Sequence, residues 1–294
     1  MTTLAGQKIL ITGGARGIGA ESARQLAARG AQVALVGLEP DEMERVAAQC
    51  GGGAFAIEAD VTDRDAIEKA VEEAAERLGG IDCVMANAGV ASAGFVRNTD
   101  PDAFERVVEV NLLGVWRTVR AALPHVMQRR GYVLVIASAA AVLHGPGMAP
   151  YAAAKAGAEA FADSLRAEMH HHGVAVGVGY LLWIDTDMVA GADAHPAMAG
   201  FRAKLPGPFK TTHPVSKAGA AVVDGIENRR RWVTVPNWLR LMIPIRGVLG
   251  PLFDAGGRKE AEEIDTLMDR DMAERGAEES SALVGAGGAA DRSR

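Results

Sequence analysis

The chain has 294 residues, 49% of them hydrophobic and 23% charged, enough to bury a full core as one large α/β domain or two small ones. Its net charge of −6 offers no broad basic field, so despite the local patch Arg229, Arg230, Arg231, nucleic acid is not an expected partner. Cys50 and Cys83 sit in no C-x-x-C or metal-ligand spacing, which argues against a disulfide-stapled secreted protein and for a reducing, cytoplasmic setting.

From the amino terminus, Met1 to Gln7 lacks the charged segment and apolar run of a signal peptide, and a strand-length segment follows. Short β-branched runs then alternate with helical periods: Lys8 to Thr12 and Ile18 to Arg29, Gln32 to Val36 and Asp41 to Gln49, Ala54 to Ala59 and Asp65 to Leu78. Ile81 to Ala86 and Tyr132 to Ala137 are near-continuous apolar runs flanking a long helical stretch from Pro101 to Arg130, as strands covered on both faces should be. A helix from near Pro150 leads to a sixth strand, Val174 to Gly179, and a helix at Val215 to Asn228 leads to a seventh, Trp232 to Val235. This rhythm predicts a Rossmann-type α/β fold: a doubly wound, mostly parallel seven-stranded sheet with helices on both faces, in a single domain over 1–253.

Between Asp185 and Pro214 small residues and four prolines predict a mobile substrate lid, about 186–213. The chain stays apolar from Pro236 to Phe253, and 254–294 reads as a charged helical stretch followed by a disordered Gly/Ala end. No run of roughly 18 apolar residues is present, so no transmembrane segment is expected, while peripheral membrane contact by 237–253 stays open.

Three local patterns carry chemistry. Thr12-Gly13-Gly14-Ala15-Arg16-Gly17-Ile18-Gly19 lies between the first strand and first helix, where backbone N–H groups and the helix dipole meet a diphosphate. There Gly13 suits the tight turn, Gly17 the close approach of the ligand and Gly19 the packing of helix on strand. Tyr151 and Lys155, four apart at the start of a helix opened by Pro150, share one face. Ser138 ends the fifth strand at the sheet's carboxyl edge, where open parallel sheets bind ligands. Taken singly, the glycines are an ordinary loop, Ser138 a strand-end cap, and the Tyr–Lys pair a half-buried phenol beside a solvated amine.

Together these segments resemble the short-chain dehydrogenase/reductase family over roughly Ala5 to Pro236, through T-G-x-x-x-G-I-G and Y-x-x-x-K. The resemblance implies a dinucleotide held by Gly13, Arg16, Gly17, Ile18, Gly19, Leu38, Asp60, Val61, Asn87, Ala88, Gly89, Tyr151, Lys155, Ile184 and Thr186. It also implies a tetrad of Asn111, Ser138, Tyr151 and Lys155: the phenol transfers a proton, the serine hydrogen-bonds the substrate oxygen, the lysine also holds the nicotinamide ribose, and Asn111 anchors a water relay. Read alone, Asp60 is equally a turn cap and Asn111 a solvent-facing helix residue. An ammonium about 4 Å from the phenol, at an effective dielectric near 20, contributes about 4 kcal/mol toward phenolate, a fall of up to about three pKa units before desolvation opposes it.

The match departs after the sixth strand, where Leu181-Leu182 replaces the family's Pro-Gly ahead of Ile184 and Thr186. The second strand ends Val36-Gly37-Leu38-Glu39, with neither a carboxylate at 37 for a ribose hydroxyl nor an arginine at 38 for a 2′-phosphate. The cofactor is therefore NAD or NADP, with a lean to NAD from Glu39. Consecutive His170, His171 and His172 point about 100° apart and make no metal site. The expected activity is that of a short-chain alcohol dehydrogenase or carbonyl reductase, interconverting a secondary alcohol and a ketone or aldehyde. Leu182, Trp183, Met188, Val189, Phe201 and Phe209 suggest a lipophilic substrate, and the family implies a homodimer or homotetramer. A family-type epimerase or dehydratase and a nicotinamide-binding sensor without turnover are the alternatives.

Overall fold

A computed structural model describes residues 3–196, 198 and 201–292, and the side chains of Phe201 and of residues 249–257, among those named above, lie outside the described ones. Its strands are β1 (Lys8–Thr12), β2 (Gln32–Gly37), β3 (Phe55–Glu58), β4 (Cys83–Ala86), β5 (Tyr132–Ile136), β6 (Ala175–Leu181) and β7 (Trp232–Val235). They form one seven-stranded sheet in the order β3-β2-β1-β4-β5-β6-β7, and every pairing is parallel. The crossovers reverse direction between β1 and β4, which opens a crevice at the strands' carboxyl ends.

Alternate residues of each strand feed two cores, as a sheet covered on both faces requires. Ile9, Ile11, Val33 and Leu35 pack with Leu26 of α1 (Gly17–Ala28), Met43 of α2 (Pro40–Cys50) and, from much later in the chain, Val222 and Ile226. Leu10, Ala34, Val36 and Val84 pack on the other face with Ile67 and Val71 of α3 (Arg64–Leu78) and with Val119 and Ala158.

The long helical stretch is divided. α4 (Pro101–Val108), capped by Asp100, runs into a π-helical turn, Glu109–Leu113, before α5 (Gly114–Gln128). A π turn inserts one extra residue into the helical ladder and re-aims the side chains in it, here Val110 and Asn111. α6 (Ala149–Met169) then carries Tyr151 and Lys155 with Pro150 in its first turn.

The expected lid is more regular than its small residues and prolines suggest. It holds α7 (Asp187–Ala194), the single turn α8 (Phe201–Lys204) and a 3₁₀ turn, Gly207–Lys210, before α9 (Val215–Glu227). Beyond β7 come the short α10 (Leu239–Met242) and the long α11 (Arg246–Arg275), which begins eight residues before the charged stretch read from the sequence.

The Gly/Ala end, read as disordered, is instead ordered into α12 (Ala277–Ser280) and α13 (Gly285–Arg292), with Leu283 and Asp291 buried. Two contacts that no local pattern encodes account for this. The Asp291 carboxylate accepts from the Arg106 guanidinium of α4 at 2.6 and 2.8 Å, and the glycine pair Gly191 and Gly285 lets α7 and the tail approach at a distance that a Cβ would block.

Candidate active site

The crevice is a cavity of about 740 Å³, within the range of small-molecule sites. Its walls come from the β1–α1 turn, the ends of β2 to β6, the start of α6, the lid and the carboxyl-terminal segment. Among the predicted residues Gly13, Arg16, Gly17, Ile18, Leu38, Asp60, Val61, Asn87, Ala88, Gly89, Ser138, Tyr151, Lys155, Ile184 and Thr186 line it, and Gly19 and Asn111 do not.

The β1–α1 turn is built for an anion. Gly17 takes a positive φ of +54°, and a Cβ on Gly19 would lie 2.1 Å from the Gly13 carbonyl oxygen, so Gly19 acts by letting the helix pack rather than by facing the cavity. No side chain caps α1, whose N-cap Arg16 is extended, and its first turn lies at the cavity wall as an open cluster of N–H donors. Asn87 pins the turn to β4, donating from Nδ2 to the carbonyls of Thr12 (3.0 Å) and Gly13 (3.1 Å). The Thr12 hydroxyl oxygen accepts from the backbone N–H groups of Asn87 and Ala88, a tie that sequence reading passed over.

At the end of the cavity beside β2 and β3, Asp60 accepts from the Thr62 N–H and hydroxyl (both 2.8 Å) and from Arg106 (3.1 Å). Burial pushes the Asp60 carboxyl up, but these donors outweigh it and hold the group below the ordinary carboxylate range. Arg16 is clasped between Glu39, on both Nε and Nη2, and Asp187 at the start of α7. Its guanidinium thus joins the phosphate turn, the end of β2 and the lid, a three-way contact across 171 residues of sequence with no local signature.

At the opposite end the tetrad residues gather around α6. Ser138, extended at the end of β5, caps the 3₁₀ turn Ala139–Ala141 through Ala140 N–H (3.1 Å) and donates to the Leu181 carbonyl at 3.4 Å. Burial raises the Tyr151 phenol above its usual value, and a hydrogen bond with Ser138 partly offsets this. Lys155 is buried, donates to the Ile136 carbonyl at 2.9 Å, and lies 5.7 Å from the centre of the Tyr151 ring. Burial holds the Lys155 ammonium down at about 8. The lowering of the phenol expected from this ammonium is not what the structure has: desolvation raises the phenol, and the group that opposes it is Ser138. Asn111 is fully buried and does not face solvent: its Nδ2 donates to Val90 O (2.7 Å) and its Oδ1 accepts from Val90 N (2.9 Å). Gly89 makes room for it, since a Cβ there would lie 2.7 Å from Asn111 Oδ1 and 3.3 Å from Lys155 Nζ.

Leu181 and Leu182 are buried where the family has Pro-Gly, and Leu182 packs with Ala139 and Leu239. Trp183 follows in left-handed backbone, φ +43°, held there by its indole N–H donating to Phe209 O (2.8 Å) and by Arg202 over its ring. Sequence reading missed His144, Met148, Met198 and Leu205 on the wall, and also the tail residues Val284, Gly287 and Asp291. Among the described residues no three His, Cys, Asp or Glu side chains are placed to hold a metal ion.

A parallel switch-point sheet with a glycine phosphate turn and a Ser–Tyr–Lys group at its carboxyl edge defines a Rossmann-type nicotinamide-dependent oxidoreductase, and its open helix terminus and Cβ-free cradle fit a dinucleotide. The family model described as short chain dehydrogenase matches residues 7–197, and the chain belongs to the short-chain dehydrogenase/reductase family. It is 36% identical over 207 residues to (-)-trans-carveol dehydrogenase of Rhodococcus erythropolis, covering 64% of this chain and 75% of that one. It is 32% identical over 202 residues to 3-oxoacyl-[acyl-carrier-protein] reductase FabG of Escherichia coli, covering 68% and 82%. With meso-2,3-butanediol dehydrogenase of Serratia marcescens it shares 38% identity over 148 residues, half of this chain and 59% of the other.

Proposed function

We propose that this oxidoreductase interconverts a lipophilic secondary alcohol and its ketone in the cytoplasm, using NAD in preference to NADP. The observation that carries the reaction is that Ser138, the half-buried Tyr151 and the buried Lys155 line one wall of the cavity, with Lys155 one helical turn along from Tyr151. The cofactor supplies or accepts the hydride. Tyr151 donates its proton to the carbonyl oxygen during reduction and takes it back during oxidation, and Ser138 holds that oxygen in line. Lys155 has two N–H donors left after Ile136 O, one of which would hold the nicotinamide ribose, and its charge favours the phenolate. Asn111 acts as a positioning residue, holding the Val90 backbone and the π turn against Gly89 and Lys155 and so the start of a water relay.

The substrate class rests on Leu143, Leu182, Trp183, Val189, Met198 and Phe209, which make the wall beyond Ser138 and Tyr151 largely apolar. The similarity to carveol and butanediol dehydrogenases favours alcohol and ketone chemistry. The preference for NAD rests on the Arg16–Glu39 clasp, which takes up the cation that a 2′-phosphate would need. A homo-oligomer is part of this reading, supported by the exposed Leu113 at the end of the π turn and Trp116 in the first turn of α5.

Oxidation of NADH by a panel of carbonyls tests it, with lipophilic ketones turning over faster than small polar ones. An epimerase or a sensor gives no net NADH oxidation. Tyr151→Phe lowers kcat by about 10²- to 10⁴-fold while leaving NADH binding intact, and full turnover in that variant removes the proton-transfer role.

A further inference from the structure

We infer that the segment from Trp238 to Val248 is a peripheral docking face for an anionic lipid surface. Six large hydrophobic side chains are exposed among the described residues, and three of them fall within eight residues here: Leu241 at 74%, Ile245 at 49% and Val248 at 77%. Leu241 lies in α10, Ile245 ends the 3₁₀ turn Ile243–Ile245 and Val248 lies in the first turn of α11, so the exposed side chains follow one another along a single helical path.

The opposite side of the same path is spent on the core. Leu239 packs with Ala139 and Leu182, Ile243 joins the main core, and the Trp238 ring meets the Phe209 ring of the lid edge-on at 4.9 Å. The segment is thereby anchored, with buried side chains behind the cavity wall and exposed aliphatic side chains offered to whatever lies outside. Anchoring by packing lowers the ordering cost of docking.

The charge pattern names the partner. Although the chain carries −6 overall, no acidic residue occurs between Asp193 and Asp224 or between Glu227 and Asp254, and these two stretches hold four and five Lys or Arg respectively. Some of these cations are spent internally, Arg246 on the buried Glu159 and Lys204 on Glu263. Arg240 and Lys210 are exposed with no acidic partner among the described residues. Arg240 adjoins Leu241, and Lys210 adjoins the Phe209 that contacts Trp238. Cations flanking exposed aliphatics are the pattern of an interfacial element that contacts anionic headgroups and inserts shallowly. No helix among the described residues is long and apolar enough to span a bilayer, so the contact is peripheral.

A second copy of the chain fits this face less well. A two-fold contact would set Arg240 against its own copy with no acid nearby to offset it, and three aliphatic side chains fall far short of the roughly 20–30 residues per side of a stable interface. The inference is independent of the substrate proposed above.

The test is flotation of the full chain with vesicles of phosphatidylcholine alone and of phosphatidylcholine mixed with phosphatidylglycerol, alongside its mass in solution. The wild-type protein floats with the anionic vesicles only, and added salt releases it. Arg240→Gln lowers the partition about fivefold. The combined Leu241→Ser, Ile245→Ser, Val248→Ser variant falls to background, with solution mass and turnover of a water-soluble carbonyl unchanged. Absence of flotation, equal flotation with both vesicle types, or a fall in oligomer mass in the serine variant overturns the inference, the last by assigning the face to a second copy.

Discussion

Replacing Glu39 with glutamine probes the cofactor end of the cavity more sharply than any other single change. Three of the five guanidinium N–H groups of Arg16 are committed, two to Glu39 and one to Asp187 at 3.2 Å. A 2′-phosphate that recruits Arg16 must displace a carboxylate and then lie against it. Glutamine keeps the shape, removes the charge and returns the guanidinium. A hydrogen bond to a charged group contributes about 1.5–3 kcal/mol, which is about 10- to 150-fold in affinity. The clasp is partly exposed, with side chains 35% and 21% accessible, and Asp187 still holds part of Arg16, so screening places the expected gain at the lower end, about tenfold. The assay is direct binding of NADH and NADPH by quenching of tryptophan fluorescence at one fixed ionic strength. The variant shifts the NADPH/NADH affinity ratio toward NADPH, mainly by tightening NADPH. A ratio that does not move, or a wild-type protein that already binds NADPH more tightly, refutes the reasoning.

Burial holds Lys155 at about 8, so its ammonium is present below that pH and lost above it. NADH affinity should therefore be flat at neutral pH and weaken by up to about tenfold per unit above 8, as seen by calorimetry; a flat profile through that range removes the ribose contact. Gly19→Ala forces a Cβ against the Gly13 carbonyl, and overpacking of about 1–3 kcal/mol lowers the Tm by roughly 3–10 °C, so an unchanged melting curve contradicts the packing described. Asp291→Asn weakens the tie between the tail and α4, and amides of 285–292 should exchange hydrogen about 5- to 30-fold faster, for about 1–2 kcal/mol of local stability. Equal exchange in both proteins would place the anchor elsewhere in the tail.

Much of the site is legible in the sequence because its parts are local. Four residues along a helix fix a shared face whatever surrounds it, which puts Tyr151 beside Lys155, and a glycine turn between a strand and a helix is its own geometric statement. Ser138 needs one step more, the knowledge that a strand ends there and that strand ends line a crevice. The alternation of apolar strands and amphipathic helices likewise points to a parallel sheet, and all the pairings are parallel, whereas the strand order is written in no local pattern.

What the sequence withheld depends on groups brought together from far along the chain. Asn111 looks like any polar helix residue until a π turn and the missing Cβ of Gly89 bury it against Val90. The Arg16–Glu39–Asp187 clasp and the Arg106–Asp291 tie join residues whose neighbours in sequence say nothing of each other, and composition alone makes the Gly/Ala tail look too poor in side chains to order. Lys155 beside Tyr151 reads from sequence as a charge that lowers a phenol, yet in the folded chain desolvation is the larger effect on both groups. Periodicity and spacing determined the fold class and picked out the candidate reactive group, since both are read from backbone geometry over a few residues. Burial, charge balance and closure of the crevice were decided only in three dimensions, where solvent is excluded and distant side chains meet.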